Sequence, residues 1–295
     1  MARSGFDRKL RTGERSDRGR RTRMRRCPGR TTVAVASVAA VFLTVVGASC
    51  RTPGTPPAMP ASPQAERLFV AHCAACHGAN GRGNGLALIA LEVRPRDFLR
   101  ERFRYVSTSN GVPTQEDLVQ TIRYGRRFGE MPANPQLTEA EALLLADYVR
   151  EINRLGWAEL LAREFADDDE TTPEDIQEIA EARVTPRKSI VVSPEPRTVR
   201  RDLNVGRELF EANCMACHGP RGRGDGLDKP LDEQGRPIAV RDLTSGEFRG
   251  GVDPADIFLR IRCGIPGTPM SAAAATDEEV WQLVHYVEFL AGRPR

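Results

Sequence analysis

The chain has 295 residues, 40% of them hydrophobic, which is room for two small cores rather than one large one. Its formal charge of +3 hides a split: residues 1–30 carry 12 Lys/Arg against three acidic residues, leaving 31 basic against 37 acidic beyond Arg30, a balance of −6. An acidic body argues against nucleic acid as a partner, and seven cysteines in an odd, unpaired arrangement do not make a disulfide framework.

Residues 1–50 read as a leader. The uncharged stretch from Thr31 to Ser49 follows the basic run and ends in small residues before Cys50, the build of an export signal. A start at Met24 would give a basic region of ordinary length, and translation is expected to begin there. The end of the segment resembles a bacterial lipoprotein signal, with Cys50 as the lipid site, although Gly47 stands where that family usually has Leu. Nineteen uncharged residues also suit an uncleaved anchor at the lower limit of a membrane span, and cleavage elsewhere would free a soluble protein. The basic flank stays inside in each case, so the remainder is expected on the periplasmic side of the bacterial membrane. Residues 51–63, with five prolines, read as an extended tether.

A first unit spans 64–156. It opens with the amphipathic "AERLFVAH" (65–72), then "HCAACHG" (72–78), then glycines at 78, 81, 83 and 85. A helix follows in "EDLVQTIRYG", and a last one in 137–152, where Leu143, Leu144, Tyr148 and Ile152 recur at helical spacing behind Thr138 as N-cap. Residues 157–201 form a linker that starts as a polar helical piece. Its Asp167, Asp168 and Asp169 lack the spaced ligands of a calcium loop and read as a solvated helix end.

The second unit, 202–295, repeats the first. "GRELFEAN" (206–213) leads into "NCMACHG" (213–219), glycines follow at 219, 222, 224 and 226, and "ADIFLRIRCGIPGTPM" (255–270) matches 116–132. A closing helix over 275–290 has Thr276 as N-cap and Val280, Leu283, Val284 and Val287 on its apolar face. The expected fold class is therefore mainly α, as a tandem internal duplication.

In C-x-x-C-H the two cysteines stand one helical turn apart, so both thiols can add to the vinyl groups of one haem while the next residue offers an imidazole to its iron. Cys73, Cys76 and His77 form one such set, and Cys214, Cys217 and His218 the other. A redox dithiol would leave the histidine and the missing preceding strand without a role, and zinc would need a fourth ligand. The motifs point to two covalently bound haems c.

A sixth iron ligand is needed, and His72 and His285 are not equivalent in the repeat. Met131 lies 54 residues after His77 and Met270 lies 52 after His218, each beside a proline (Pro132, Pro269) on a glycine-containing loop. A lone methionine there would more often fill a core, but two at matched spacing read as ligands. The glycine series has neither the Gly-Lys-Ser/Thr ending nor the strand of a phosphate loop and reads as backbone turning close to the haem edge. His285 reads as helix packing or surface. His72 reads as an exposed helix residue or a propionate partner, and Cys263 as a small buried side chain or, as a minority reading, a sulfur-chemistry site.

With these motifs in place, each unit resembles a small class I cytochrome c domain, over residues 64–155 and 202–292, and the whole resembles a tandem dihaem cytochrome c. The resemblance implies that each unit's first and last helices cross beside the haem, with Gly206, Phe210 and Tyr286 at one crossing and Ala65, Phe69 and Tyr148 at the other. It implies one-electron transfer from an exported or membrane-bound dehydrogenase, or a quinol-side donor, toward a terminal acceptor, and the acidic body favours partners with a basic docking patch. Two other readings stay open. One is a haem enzyme acting on peroxide or a small sulfur or nitrogen compound; the other is a sensor or the cytochrome subunit of a larger enzyme.

Overall fold

The computed structural model describes residues 62–293 except 92, 127–130 and 196–202, so the leader, Cys50 and nearly all of the tether lie outside the described residues. Among the described residues there is no strand, only isolated bridges between single residues, and no helix is long and apolar enough to cross a membrane.

The first half comprises α1 (Pro63–His72), the short α2 (Ala74–His77), α3 (Gln115–Tyr124) and α4 (Glu139–Glu164). Ser62 caps α1, with proline in its first turn. Thr114 with Asp117 and Thr138 with Glu141 close reciprocal capping boxes on α3 and α4, so both helices start where the sequence sets a hydroxyl three residues before an acid. Their apolar faces meet in a core of Ala65, Phe69, Leu118, Ile122, Leu145, Tyr148 and Ile152. Phe69 packs on Tyr148 with ring centres 5.4 Å apart, which fixes the crossing of α1 and α4.

The second half repeats this with α6 (Leu203–Asn213), α7 (Met215–His218), α8 (Pro254–Cys263) and α9 (Asp277–Leu290). Phe210 and Tyr286 lie 5.3 Å apart at the α6 and α9 crossing. Gly206 is needed there, because a Cβ would stand 2.5 Å from the Gln282 carbonyl oxygen. In the first half the corresponding Ala65 is fully buried.

Residues 157–195 form more than a polar connection. Helix α4 runs on to Glu164 and pairs with α5 (Pro173–Val184), burying Ala158, Leu161 and Ala180 against Trp157, Phe165, Ile176 and Ile179. The three aspartates sit at the turn of this hairpin, where Asp168 accepts from the Thr171 hydroxyl. An extended segment then bridges Ser189 to Thr108 of the first half, and Ser193 O accepts from Trp281 Nε1 of the second at 3.2 Å.

Candidate functional site

Each CxxCH turn is built the same way. Helix α1 ends at Cys73, whose N–H bonds back to Phe69 O at 2.8 Å, and α2 carries the chain through His77 to Gly78. The glycine series then folds back over this turn: Gly83 N–H donates to His77 O at 2.7 Å and Gly85 N–H to Cys76 O at 3.1 Å. The second copy repeats both bonds, from Gly224 to His218 O at 2.9 Å and from Gly226 to Cys217 O at 3.2 Å. A Cβ on Gly85 or Gly226 would lie 2.2 Å from the carbonyl oxygen of Ala75 or Ala216, so only glycine permits this approach.

The two histidines are oriented by main-chain carbonyls. His77 Nδ1 lies 3.1 Å from Arg96 O, and His218 Nδ1 lies 3.3 Å from Arg241 O. A carbonyl only accepts, so Nδ1 carries the proton and Nε2 keeps its lone pair for a metal. Burial is the main influence on both rings and lowers their pKa, which keeps the imidazoles neutral at pH 7.

The four motif cysteines carry no disulfide. Burial, helped by the neighbouring Cys76, pushes the Cys73 thiol up to about 11, and burial with Cys217 does the same to Cys214. A dithiol oxidoreductase depends on a depressed pKa at this cysteine, so the environment is the wrong one for that chemistry. Among the described residues no three His, Cys, Asp or Glu side chains converge to hold a bare metal ion.

The methionines occupy matching hairpins. Helices α3 and α8 end at Gly125 and Gly264, both with φ of 66°, and the next residue's N–H closes on the methionine carbonyl: Arg126 on Met131 at 2.7 Å and Ile265 on Met270 at 2.8 Å. Both side chains are half-buried.

The sequence reading missed the acceptors. They come in the dipeptides Arg96-Asp97 and Arg241-Asp242, whose following residues Phe98 and Leu243 donate to Gly81 O and Gly222 O. This repeated Arg-Asp was the available signal. Phe98 also stacks on the His77 ring at 4.4 Å and 19°. Near Tyr105, between the halves, the buried Nε atoms of Arg104, Arg126 and Arg260 have no hydrogen-bond partner, and burial holds Arg126 and Arg260 below the usual guanidinium range. Orphaned buried guanidinium donors suit a group bearing carboxylates. Together with paired thiols and an oriented imidazole, they fit haem c.

The remaining candidates differ in burial. His72 is exposed, with Nδ1 3.3 Å from Gln136 Nε2. His285 is buried on α9, with Nε2 2.8 Å from Glu195 Oε1. Cys263 is half-buried, and burial raises its pKa.

The family of cytochrome c oxidase, cbb3-type, subunit III matches the chain twice, over residues 60–149 and 201–287, and the chain belongs to this family of haem c proteins. The Rubrivivax gelatinosus cbb3-type cytochrome c oxidase subunit CcoP is 31% identical over 122 residues, which is 40% of this chain and 36% of that protein. The chain thus matches about a third of that relative's length. Among solved structures, a chain of the Kuenenia stuttgartiensis reducing HAO-like protein complex aligns with a TM-score of 0.63 and 29% identity, covering 81% of this chain and 99% of its own.

Proposed function

We propose, with membership of this cytochrome c family as the premise, that the chain is an exported dihaem cytochrome. It would pass electrons one at a time between a dehydrogenase or quinol-side donor and a terminal acceptor. The observation that carries this reading is the duplicated ligand geometry: two neutral imidazoles, each held at Nδ1 by a main-chain carbonyl, each followed by a methionine hairpin closed on a positive-φ glycine. When bound, the haems supply an Fe(III)/Fe(II) couple.

The chain's own residues do the remainder. Cys73 and Cys76, then Cys214 and Cys217, anchor one haem in each of two lobes, 64–156 and 202–295. His77 with Met131 and His218 with Met270 would hold the iron of each haem, and with both ligands in place substrate would be kept off the metal. The buried arginines offset propionate charge. The leader delivers the protein to the periplasmic side, where lipid on Cys50 or an uncleaved anchor tethers it. The acidic body favours partners with a basic patch and gives encounters that weaken with salt.

The test is a haem count with oxidised and reduced spectra, before and after carbon monoxide. Two low-spin haems with the weak far-red band of methionine-ligated ferric iron, unmoved by carbon monoxide, are expected. One haem that binds carbon monoxide readily would replace the carrier by a haem enzyme acting on peroxide or a small sulfur or nitrogen compound. The alignment with a chain of a multiprotein complex favours a second form of the reading, in which this cytochrome is a subunit of a larger oxidoreductase. A partner copurifying at fixed stoichiometry under high salt would establish it, and a free monomer would exclude it.

A further inference from the structure

The carbonyl that orients His77 belongs to a segment clamped by the other half of the molecule. Glu101, 3% exposed, accepts from Arg96 Nη1 at 2.5 Å and from the Asp97 N–H at 3.4 Å through one oxygen, and from Arg236 Nη2 through the other. Arg236 is presented by a tight turn: Asp232 N–H bonds to Arg236 O at 2.8 Å, and Arg236 Nε donates to Asp232 Oδ2 at 2.8 Å. Beside it, Glu233 accepts from the Arg102 N–H at 2.7 Å. A finger of the second half thus grips residues 96–102 of the first. That segment supplies both the Nδ1 acceptor of His77 and the Phe98 ring stacked on it. At His218 the acceptor residue Arg241 is tied by Nε to Glu247 O, within its own half.

Resting on the haem reading above, we propose that Arg236 is a positioning residue for the first haem: through Glu101 and Arg96, the second lobe holds the carbonyl that binds the His77 Nδ1 proton and thereby sets that haem's potential. A well-held Nδ1–H···O=C bond makes the imidazole a stronger donor, which favours ferric iron and lowers the potential. Loosening the acceptor has the opposite effect. The link ties the potential at one haem to the seating of the other lobe, which suits a relay whose two sites must differ.

The test is Arg236→Lys, which keeps the charge and loses the planar fork that bridges Asp232 and Glu101. The two midpoint potentials of the full-length holoprotein are assigned with a Met131→His control, which lowers the first haem's potential alone. In Arg236→Lys the His77 haem should shift upward, the His218 haem should stay, and the His77 ring N–H should exchange with solvent faster than that of His218. Glu101→Gln should move the same haem the same way and serves as the second variant if the first folds poorly. No shift in either variant, or equal shifts at both haems, would overturn the inference and leave the dihaem reading standing. A wild-type protein with one haem would overturn both.

Discussion

Gly125→Ala is the sharpest test of the proposal that Met131 is a haem iron ligand. Gly125 ends α3 with φ 66° and ψ −161°, a combination that an L side chain adopts only under strain of about 1–3 kcal/mol. Its new Cβ would also stand 2.4 Å from Met131 O, 2.6 Å from Ala133 N and 2.6 Å from the Pro132 carbonyl carbon, all main-chain atoms of the ligand hairpin. Restoring ordinary contact, which begins at 3.4 Å, requires the hairpin to move by about 1 Å, and a close-packed interior cannot absorb that locally. Helix α3 is anchored by its capping box and by buried Leu118 and Ile122, so the displacement falls on Met131. The far-red band should therefore fall to about half and one haem should bind carbon monoxide, while the total haem count stays at the wild-type value, since the attachment turn is untouched. Gly264→Ala should do the same to the other haem, because its Cβ would meet Met270 O at 2.5 Å. A full-strength far-red band in both variants, with no carbon monoxide binding, would refute the assignment of Met131 and Met270.

Replacing both Cys73 and Cys76 by Ala should halve the covalent haem measured by pyridine haemochrome on denatured protein, and replacing Cys214 and Cys217 should remove the other half; an unchanged count would disprove covalent attachment at these turns. Gly206→Ala should destabilise the second half by about 1–3 kcal/mol in a denaturant titration, because the added methyl lies 2.5 Å from Gln282 O and 2.9 Å from the Tyr286 Cβ, and an unchanged midpoint would mean that the crossing is looser than described. Acid should loosen the grip between the halves. Burial alone would raise the Asp232 pKa, but hydrogen bonds from Arg236 and Gln234 hold it below its ordinary value. Its stabilisation is therefore complete above about pH 4, the unfolded carboxylate range, and is lost as pH falls through the lower folded value. Denaturant midpoints measured between pH 7 and pH 2 should drop more steeply in wild type than in Asp232→Asn, and parallel curves would contradict this.

Much of the local design could be read from residue order alone. Helical spacing of Leu143, Leu144, Tyr148 and Ile152, and of Val280, Leu283, Val284 and Val287, placed both closing helices, and the Thr-x-x-Glu pairs at 138 and 276 marked their starts, because caps and periodicity act within a few residues. The CxxCH turns were visible because their residues stand side by side in the chain, and the methionines because the duplication repeats their spacing, 54 residues after His77 and 52 after His218. The helical character of residues 157–164 was legible, but their continuity with α4 was not. Exposed charges mask the thin seam of Ala158, Leu161 and Ala180, which has an apolar role only because α5 folds back on it.

What tertiary structure alone decided lies at longer range. Arg96 O as the acceptor for His77, the Phe98 stack and the Arg236 grip on Glu101 join residues 19, 21 and 135 positions apart. Main-chain carbonyls carry no side-chain signature, and a charge reads the same in sequence whether it is solvated or buried against a partner. Residue order determined which thiols, imidazoles and thioethers stand at repeated spacing. The folded chain determined how their donors and charges are held, because that depends on contacts between residues far apart in the chain, some within one half and some between the two.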